Sequence, residues 1–250
     1  MDAAEAVARV AGEVALRHYQ RGVTVETKSD GTPVSVADRQ AEEAARAWLE
    51  KHCPEDGILG EELGTTRPDA PRRWILDPID GTKTFVRRVP LWGTLVALAE
   101  GEKVLAGAAY FPAVDEILVA AQGAGCLWNG KPARVSGVSR LSEAVVLTTD
   151  ARMGTPAQVA GLDALCLRAG HVRTWGDCYG YLLVATGRAE VMIDPLLNPW
   201  DGAALLPILE EAGGSFCDWR GERTIYGGSG VGTTVALRDE VLRVLRGRNP

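Results

Sequence analysis

The apolar run Trp74-Ile75-Leu76 ends directly in Asp77-Pro78-Ile79-Asp80-Gly81-Thr82, and this junction constrains the chain more than any other stretch. Three consecutive large apolar residues read as a buried strand. Proline has no amide to give to a ladder, so Pro78 forbids simple continuation of a central strand, and a turn presents Asp77, Asp80 and backbone carbonyls toward one point. Gly60-Glu61-Glu62, after Ile58-Leu59, and Pro199-Trp200-Asp201 are built the same way. All three segments put carboxylates on loops where strands end, the usual place for chemistry on a rigid scaffold.

The elements between these segments predict a layered α/β fold. Ala3, Val7, Val10, Val14 and Tyr19 recur at roughly helical spacing over residues 3–20, and Gly22 follows as a stop signal. A polar turn from Lys28 to Pro33 leads to a second helix over about 36–52, with Ser35 as N-cap and Asp38 as its acidic partner three residues on. Thr94 to Ala99 and Val104 to Tyr110 read as strands of an antiparallel hairpin turned at Glu100-Gly101-Glu102. Beyond about residue 140 the pattern alternates: strand 144–149, helix 156–169, strand 171–175, helix 178–186, strand 189–194, helix 200–212. No flexible linker or fixed-period repeat interrupts the 250 residues, so a single domain is expected, with lobes of about 1–145 and 146–250.

Apolar residues at 46% and charged residues at 24% describe a globular chain. Lys and Arg number 27 against 33 Asp and Glu, a net charge of −6 that argues against nucleic acid as a partner. An anionic ligand must then be held locally, and bound divalent cations can do so because their charge inverts the local field. The five cysteines are odd in number, widely spaced and without a C-x-x-C, which fits neither a disulfide framework nor a zinc knuckle. The first residues lack a basic segment followed by an apolar core, and no run of about 18 apolar residues follows. The expectation is a cytoplasmic protein that engages no membrane.

Gathered carboxylates repel and raise one another's pKa unless a cation neutralises them. Hard oxygen donors and only three histidines favour magnesium, or manganese, over zinc. Gly81-Thr82-Lys83 offers a glycine-started turn into a helix, whose amides and positive dipole end suit a phosphate. Singly, each feature has a plainer reading: Asp-Pro and Asp-Gly form turns, Glu61-Glu62 can be a solvated pair, and Asp201 suits the first turn of a helix.

Taken together, these motifs resemble the inositol monophosphatase superfamily of metal-dependent, lithium-sensitive phosphatases. The resemblance rests on Gly60-Glu61-Glu62, on Trp74 to Thr82, and on Trp200-Asp201-Gly202-Ala203-Ala204 followed by Glu211-Ala212-Gly213-Gly214, and it covers essentially the whole chain. It implies an α-β-α-β-α sandwich, a homodimer, and a site holding two or three Mg2+ through Glu61, Asp77, the Ile79 carbonyl, Asp80 and Asp201. Phosphate would rest on Gly81 and Thr82, with Lys83 beside it. Asp38 matches the aspartate that pairs with the threonine of the D-G-T motif to orient the attacking water; its alternative is the capping box. The implied mechanism is direct attack of a metal-activated water on phosphorus, without a phosphoenzyme. Lys28 resembles part of the family's flexible metal-binding loop, or is an exposed turn lysine.

The subgroup that hydrolyses histidinol phosphate is the nearest resemblance, through Asp80 to Arg87 with Pro90-Leu91-Trp92, and through Trp175 to Tyr181 leading to Ala185-Thr186-Gly187-Arg188-Ala189-Glu190. That subgroup usually has a glycine where this chain has Arg88. Asp194 falls where inositol phosphatases place a substrate-binding glutamate, and Asp177 where they place a small residue. The additional charge suits the ammonium of an amino alcohol phosphate; as an alternative, Asp177 caps the helix beginning near Cys178. Trp175, Trp200 and Tyr179 can line a pocket or fill core. The rival functions are an inositol monophosphatase, an adenosine 3',5'-bisphosphate phosphatase, and an inactive relative that only binds a metabolite. The last would be expected to lack a ligand, and all five candidate positions are present.

Overall fold

A computed structural model describes residues 1–21, 25–27 and 33–247, with backbone alone for 25–27 and 33–35. Lys28, most of the polar turn and the Ser35 side chain lie outside the described residues. Helix α1 (Asp2–Arg21) precedes a short antiparallel pair, β1 (Val25–Thr27) and β2 (Pro33–Ser35), and helix α2 (Val36–His52). Both helices occur where the periodicity places them. The buried stripe of α1 is nevertheless made of Ala4, Val7, Ala8, Ala11 and Ala15, and Val10 stays exposed. It meets Ala37, Ala41 and Ala45 of α2 in one core, where small side chains let helices and sheet approach closely.

The large sheet comprises β3 (Gly57–Gly60), β4 (Gly64–Thr66), β5 (Arg72–Asp80), β6 (Gly93–Glu100), β7 (Lys103–Phe111), β8 (Glu116–Ala121), β9 (Gly125–Trp128) and β10 (Lys131–Pro132). Their spatial order is β10-β9-β8-β7-β6-β5-β3-β4, antiparallel except where β3 runs parallel to β5. Side chains alternate between its faces. Trp74, Leu76, Val96, Ala108 and Tyr110 pack toward α1 and α2, whereas Ile75, Leu95, Ala97, Ala109 and Phe111 face the other way.

That second face meets a central helical layer: α5 (Asp177–Ala185), α6 (Pro199–Ala203) and α7 (Leu205–Glu211), with the five-residue α3 (Thr82–Val86) following β5 directly. Beyond lies a second sheet of β11 (Val145–Thr148), β12 (His171–Arg173), β13 (Val191–Asp194), β14 (Gly214–Cys217) and β15 (Gly230–Thr234), ordered β12-β11-β13-β15-β14. Its outer face packs on α4 (Pro156–Cys166) and α8 (Arg238–Leu245). The layers are therefore α-β-α-β-α, as the resemblance implies.

Two local expectations are corrected. Strand β5 does not stop at Pro78. Asp77 pairs with Leu95 and Asp80 with Gly93, so three steps on β5 oppose two on β6, and the extra residue forms a bulge that accommodates the missing amide. The helix expected over 200–212 is broken at Ala204, because Pro207 has no N–H to return to the Ala203 carbonyl.

At that break the Ala204 backbone lies against Gly107 of β7, where an added Cβ would run into the Ala204 carbonyl. Gly107→Ala is expected to push the helical layer off the sheet and to cost about 1–3 kcal/mol by overpacking. A lowered urea midpoint checks this. An unchanged midpoint would mean that the layers can separate without loss.

Candidate active site

The bulge decides where the carboxylates go. Residues an odd number of steps apart on a regular strand face opposite sides, and one extra residue returns Asp80 to the side of Asp77. The turn is held internally. Asp77 Oδ1 accepts the Ile79 amide at 3.0 Å, Thr94 donates to the Pro78 carbonyl at 2.8 Å, and Thr82 donates to the Ile79 carbonyl at 3.1 Å. Gly81 takes the left-handed conformation, φ 83°, that starts α3.

Asp201 arrives from the central helical layer. Its Oδ2 accepts the Asn198 amide at 2.7 Å in a capping box, so the plain reading of an acid in the first helical turn also holds. Ligand oxygens of Asp77, Asp80 and Asp201 all lie within 4.8 Å of one another. Glu61 follows β3 at the start of a three-residue loop into β4, its amide bound to the Leu76 carbonyl beside Asp77.

Burial pushes the Asp77 carboxyl well above the usual carboxylate range, and the charges of Glu61, Asp80 and Asp201 push it further. Burial does the same to Asp80, with Asp177 and Asp201 adding to it and a hydrogen bond from Cys178 opposing it. An all-oxygen cluster that resists ionisation by itself fits a hard divalent cation, whose charge would hold every member deprotonated.

One cavity of about 1060 Å³ is lined by Glu61, Asp77, Ile79, Asp80, Gly81, Thr82, Lys83, Asp177 and Asp201. Asp194 lines an adjoining recess shared with Asp80, Asp177 and Asp201. Asp38 is buried in the first turn of α2. Among the aromatic candidates, Trp200 lines the cavity, Trp175 is half exposed, and Tyr179 packs edge-on to Phe111. Arg88 has φ 59°, the left-handed region that glycine prefers, and Tyr19 donates to its carbonyl at 2.8 Å; its side chain is outside the cavity lining.

Asp177 is not an N-cap. The cap is Gly176, without a side-chain bond, and Asp177 is the first helical residue, with φ 51°. Its carboxylate reaches across the site, accepting the Thr84 hydroxyl at 3.3 Å and facing Gly81, where a Cβ would stand 3.2 Å from Oδ2. The Asp177 amide donates to Thr149 Oγ1 at 2.7 Å, the next amide, of Cys178, donates to Asp80 Oδ2 at 2.6 Å, and the Thr149 hydroxyl donates to Asp194 Oδ1 at 2.5 Å. Thr149 thus couples Asp177 to Asp194, and Thr84 and Thr149 are site residues that the sequence reading missed. Neither has a local signal, since each partner is far away in sequence.

Burial raises Asp194 to about 7, with Asp177 adding to the shift and Thr149 opposing it. A carboxyl whose folded pKa exceeds its unfolded value of about 4 favours folding when protonated. Its contribution is complete below about pH 4 and is lost as pH rises to about 7. In chelator, the stability of Asp194→Asn relative to the wild-type chain should therefore increase across that window in denaturant titrations. A difference constant with pH would contradict the shift.

The inositol monophosphatase family model matches residues 1–246. A histidinol-phosphatase of Chlorobaculum parvum is 43% identical over 227 residues, 90% of this chain and 88% of that one. A histidinol-phosphatase of Mycobacterium tuberculosis is 40% identical, covering 87% and 86%, and an inositol-1-monophosphatase of Mesorhizobium japonicum is 32% identical, covering 98% and 91%. Relatives bearing either name are phosphoric monoester hydrolases. The crystal structure of the extragenic suppressor protein suhB from Bartonella henselae superposes with a TM-score of 0.92 at 30% identity, covering 98% of each chain. With its sandwich and its acidic turn, the chain belongs to the inositol monophosphatase family of phosphatases.

Proposed function

We propose that this chain is a magnesium-dependent phosphomonoesterase that hydrolyses histidinol phosphate to histidinol, a step of histidine synthesis. The observation that carries the reading is a cavity lined both by the Asp77, Asp80 and Asp201 cluster and by Asp177, whose carboxylate faces the Gly81 turn.

Glu61, Asp77, the Ile79 carbonyl, Asp80 and Asp201 would hold the cations. When bound, these lower the pKa of an attacking water and stabilise charge on the entering and leaving oxygens. Backbone amides at Gly81 and Thr82 would hold the phosphate at the start of α3, with the Lys83 charge beside them. Thr82 and Asp38 would orient the water for attack on phosphorus, as the P–O bond to the alcohol breaks and the products leave as histidinol and phosphate.

Selectivity would come from Asp177. Burial raises its carboxyl above the usual carboxylate range, with the Thr84 hydroxyl and the Lys83 charge opposing that shift, and a substrate ammonium in charge-assisted contact would hold it ionised. Asp194, tied to it through Thr149, adds negative potential in the recess as pH rises through about 7. An uncharged polyol phosphate gains nothing from this pair, and an acidic recess suits adenosine 3',5'-bisphosphate poorly. The higher identity to histidinol-phosphatases than to the inositol-1-monophosphatase points the same way. Five free cysteines support a reducing, cytoplasmic setting, and among the described residues no helix is long and apolar enough to cross a membrane. The homodimer is carried over from the family.

Phosphate release under Mg2+ should favour histidinol phosphate over inositol 1-phosphate and adenosine 3',5'-bisphosphate. Asp177→Ala should lower kcat/KM for histidinol phosphate by roughly ten- to a hundredfold, about 1.4–2.8 kcal/mol, and leave inositol 1-phosphate unchanged or improved. Equal losses would make Asp177 structural. A wild-type preference for inositol 1-phosphate would overturn the substrate.

A further inference from the structure

Glu42 has no role in the chemistry proposed above, yet its side chain is fully buried and its hydrogen bonds converge on the loop that carries Glu61. Three successive amides of that loop are anchored. The Glu61 amide goes to the Leu76 carbonyl on β5, the Glu62 amide to Glu42 Oε2 at 2.8 Å, and the Leu63 amide to Glu42 Oε1 at 3.2 Å. Arg46, one turn further along α2, binds Glu42 Oε1 at 2.8 Å. It also reaches the far side of the same hairpin, through Thr66 Oγ1 at 2.7 Å and the Gly64 carbonyl at 2.5 Å.

Gly60 completes the arrangement, since a Cβ there would collide with the Glu42 carboxylate. The first residue of the Gly60-Glu61-Glu62 motif is thus explained by what must pass beside it rather than by a turn. Asp38, Glu42 and Arg46 stand at successive i, i+4 positions on one face of α2. That face presents a buried acid, Asp38, at one end and a clamp on the Glu61 loop at the other.

We infer that Glu42 is a positioning residue for metal binding: held by Arg46, its carboxylate fixes the Glu61 loop against β5 so that Glu61 meets the cluster of Asp77, Asp80 and Asp201. The inference rests on the metal-site reading of Glu61. A buried ion pair could simply brace a hairpin, so the discriminating quantity is cation affinity rather than stability.

The test titrates Mg2+ into the chelator-treated full chain by calorimetry, for the wild type, Glu42→Gln, Gly60→Ala, the double variant, and Asp80→Asn as a ligand control. Glu42→Gln turns one acceptor toward the loop amides into a donor, and Gly60→Ala displaces the same carboxylate while keeping its charge. Each single variant should weaken Mg2+ binding by roughly ten- to a hundredfold, as losses in the shell behind metal ligands do. The double variant should be no worse than the weaker single, because both break one contact. Phosphate release should recover when Mg2+ is raised by the same factor. Wild-type Mg2+ affinity in Gly60→Ala or Glu42→Gln, even with a lowered unfolding temperature, would overturn the inference and leave the metal site standing. If the wild type binds no Mg2+, or Asp80→Asn binds it equally well, the metal-site reading itself fails.

Discussion

Asp77, Asp80 and Asp201 hold their carboxylate oxygens within 4.8 Å of one another, against a repulsion that burial strengthens. Such an arrangement does not persist unless the surrounding layers over-determine it. The chain recruits two layers to do so. Strand β5 supplies two of the acids through a single extra residue, and the central helical layer brings the third on a short helix locked by its Asn198 cap. Gly107, which lets the Ala204 backbone rest on β7, keeps that helical layer close to the sheet. Each device lies far from the others in sequence, and all serve one point in space.

The two ends of the site differ in character. At the β5 end burial, with the crowding of the acids adding to it, makes them resist ionisation, which is what a hard cation would relieve. At the α5 end Asp177 sits in a left-handed backbone conformation, a strained state that persists where its surroundings hold it. Its amide is taken by Thr149 and its carboxylate meets Thr84 and faces the Gly81 turn. The acidic cluster and Asp177 are joined directly, because the amide of Cys178, next to Asp177, donates to Asp80.

Much of this was legible in the sequence because it is written locally. An apolar strand running into Asp-Pro-x-Asp-Gly-Thr, and a proline-started helix carrying Asp201, announce themselves within a few residues, as do the two amphipathic helices. What was not legible depends on long-range geometry. Pro78 argues correctly against a regular ladder, but only the register with β6 shows that the strand absorbs it as a bulge. Helix α8 and strands β8, β9, β14 and β15 went unread: β8 and β15 are sheltered on both faces, so that no clean alternation marks them, and β9 and β14 are four residues each, too short to show one. The alternative of Asp177 as a helix cap stood open in the sequence because caps are local, whereas its carboxylate partner is Thr84, 93 residues away. Glu42 carries no local signal, because the loop amide it accepts lies 20 residues on.

The central claim is that these acids form a cation site. Crystals of the full chain grown with Mn2+, measured at the manganese absorption edge, test it without relying on turnover. Anomalous peaks are expected roughly 2 Å from carboxylate oxygens of Asp77, Asp80 and Asp201, with Glu61 completing the coordination. Clear density for those side chains with no anomalous peak among them, or manganese bound only elsewhere, would contradict it.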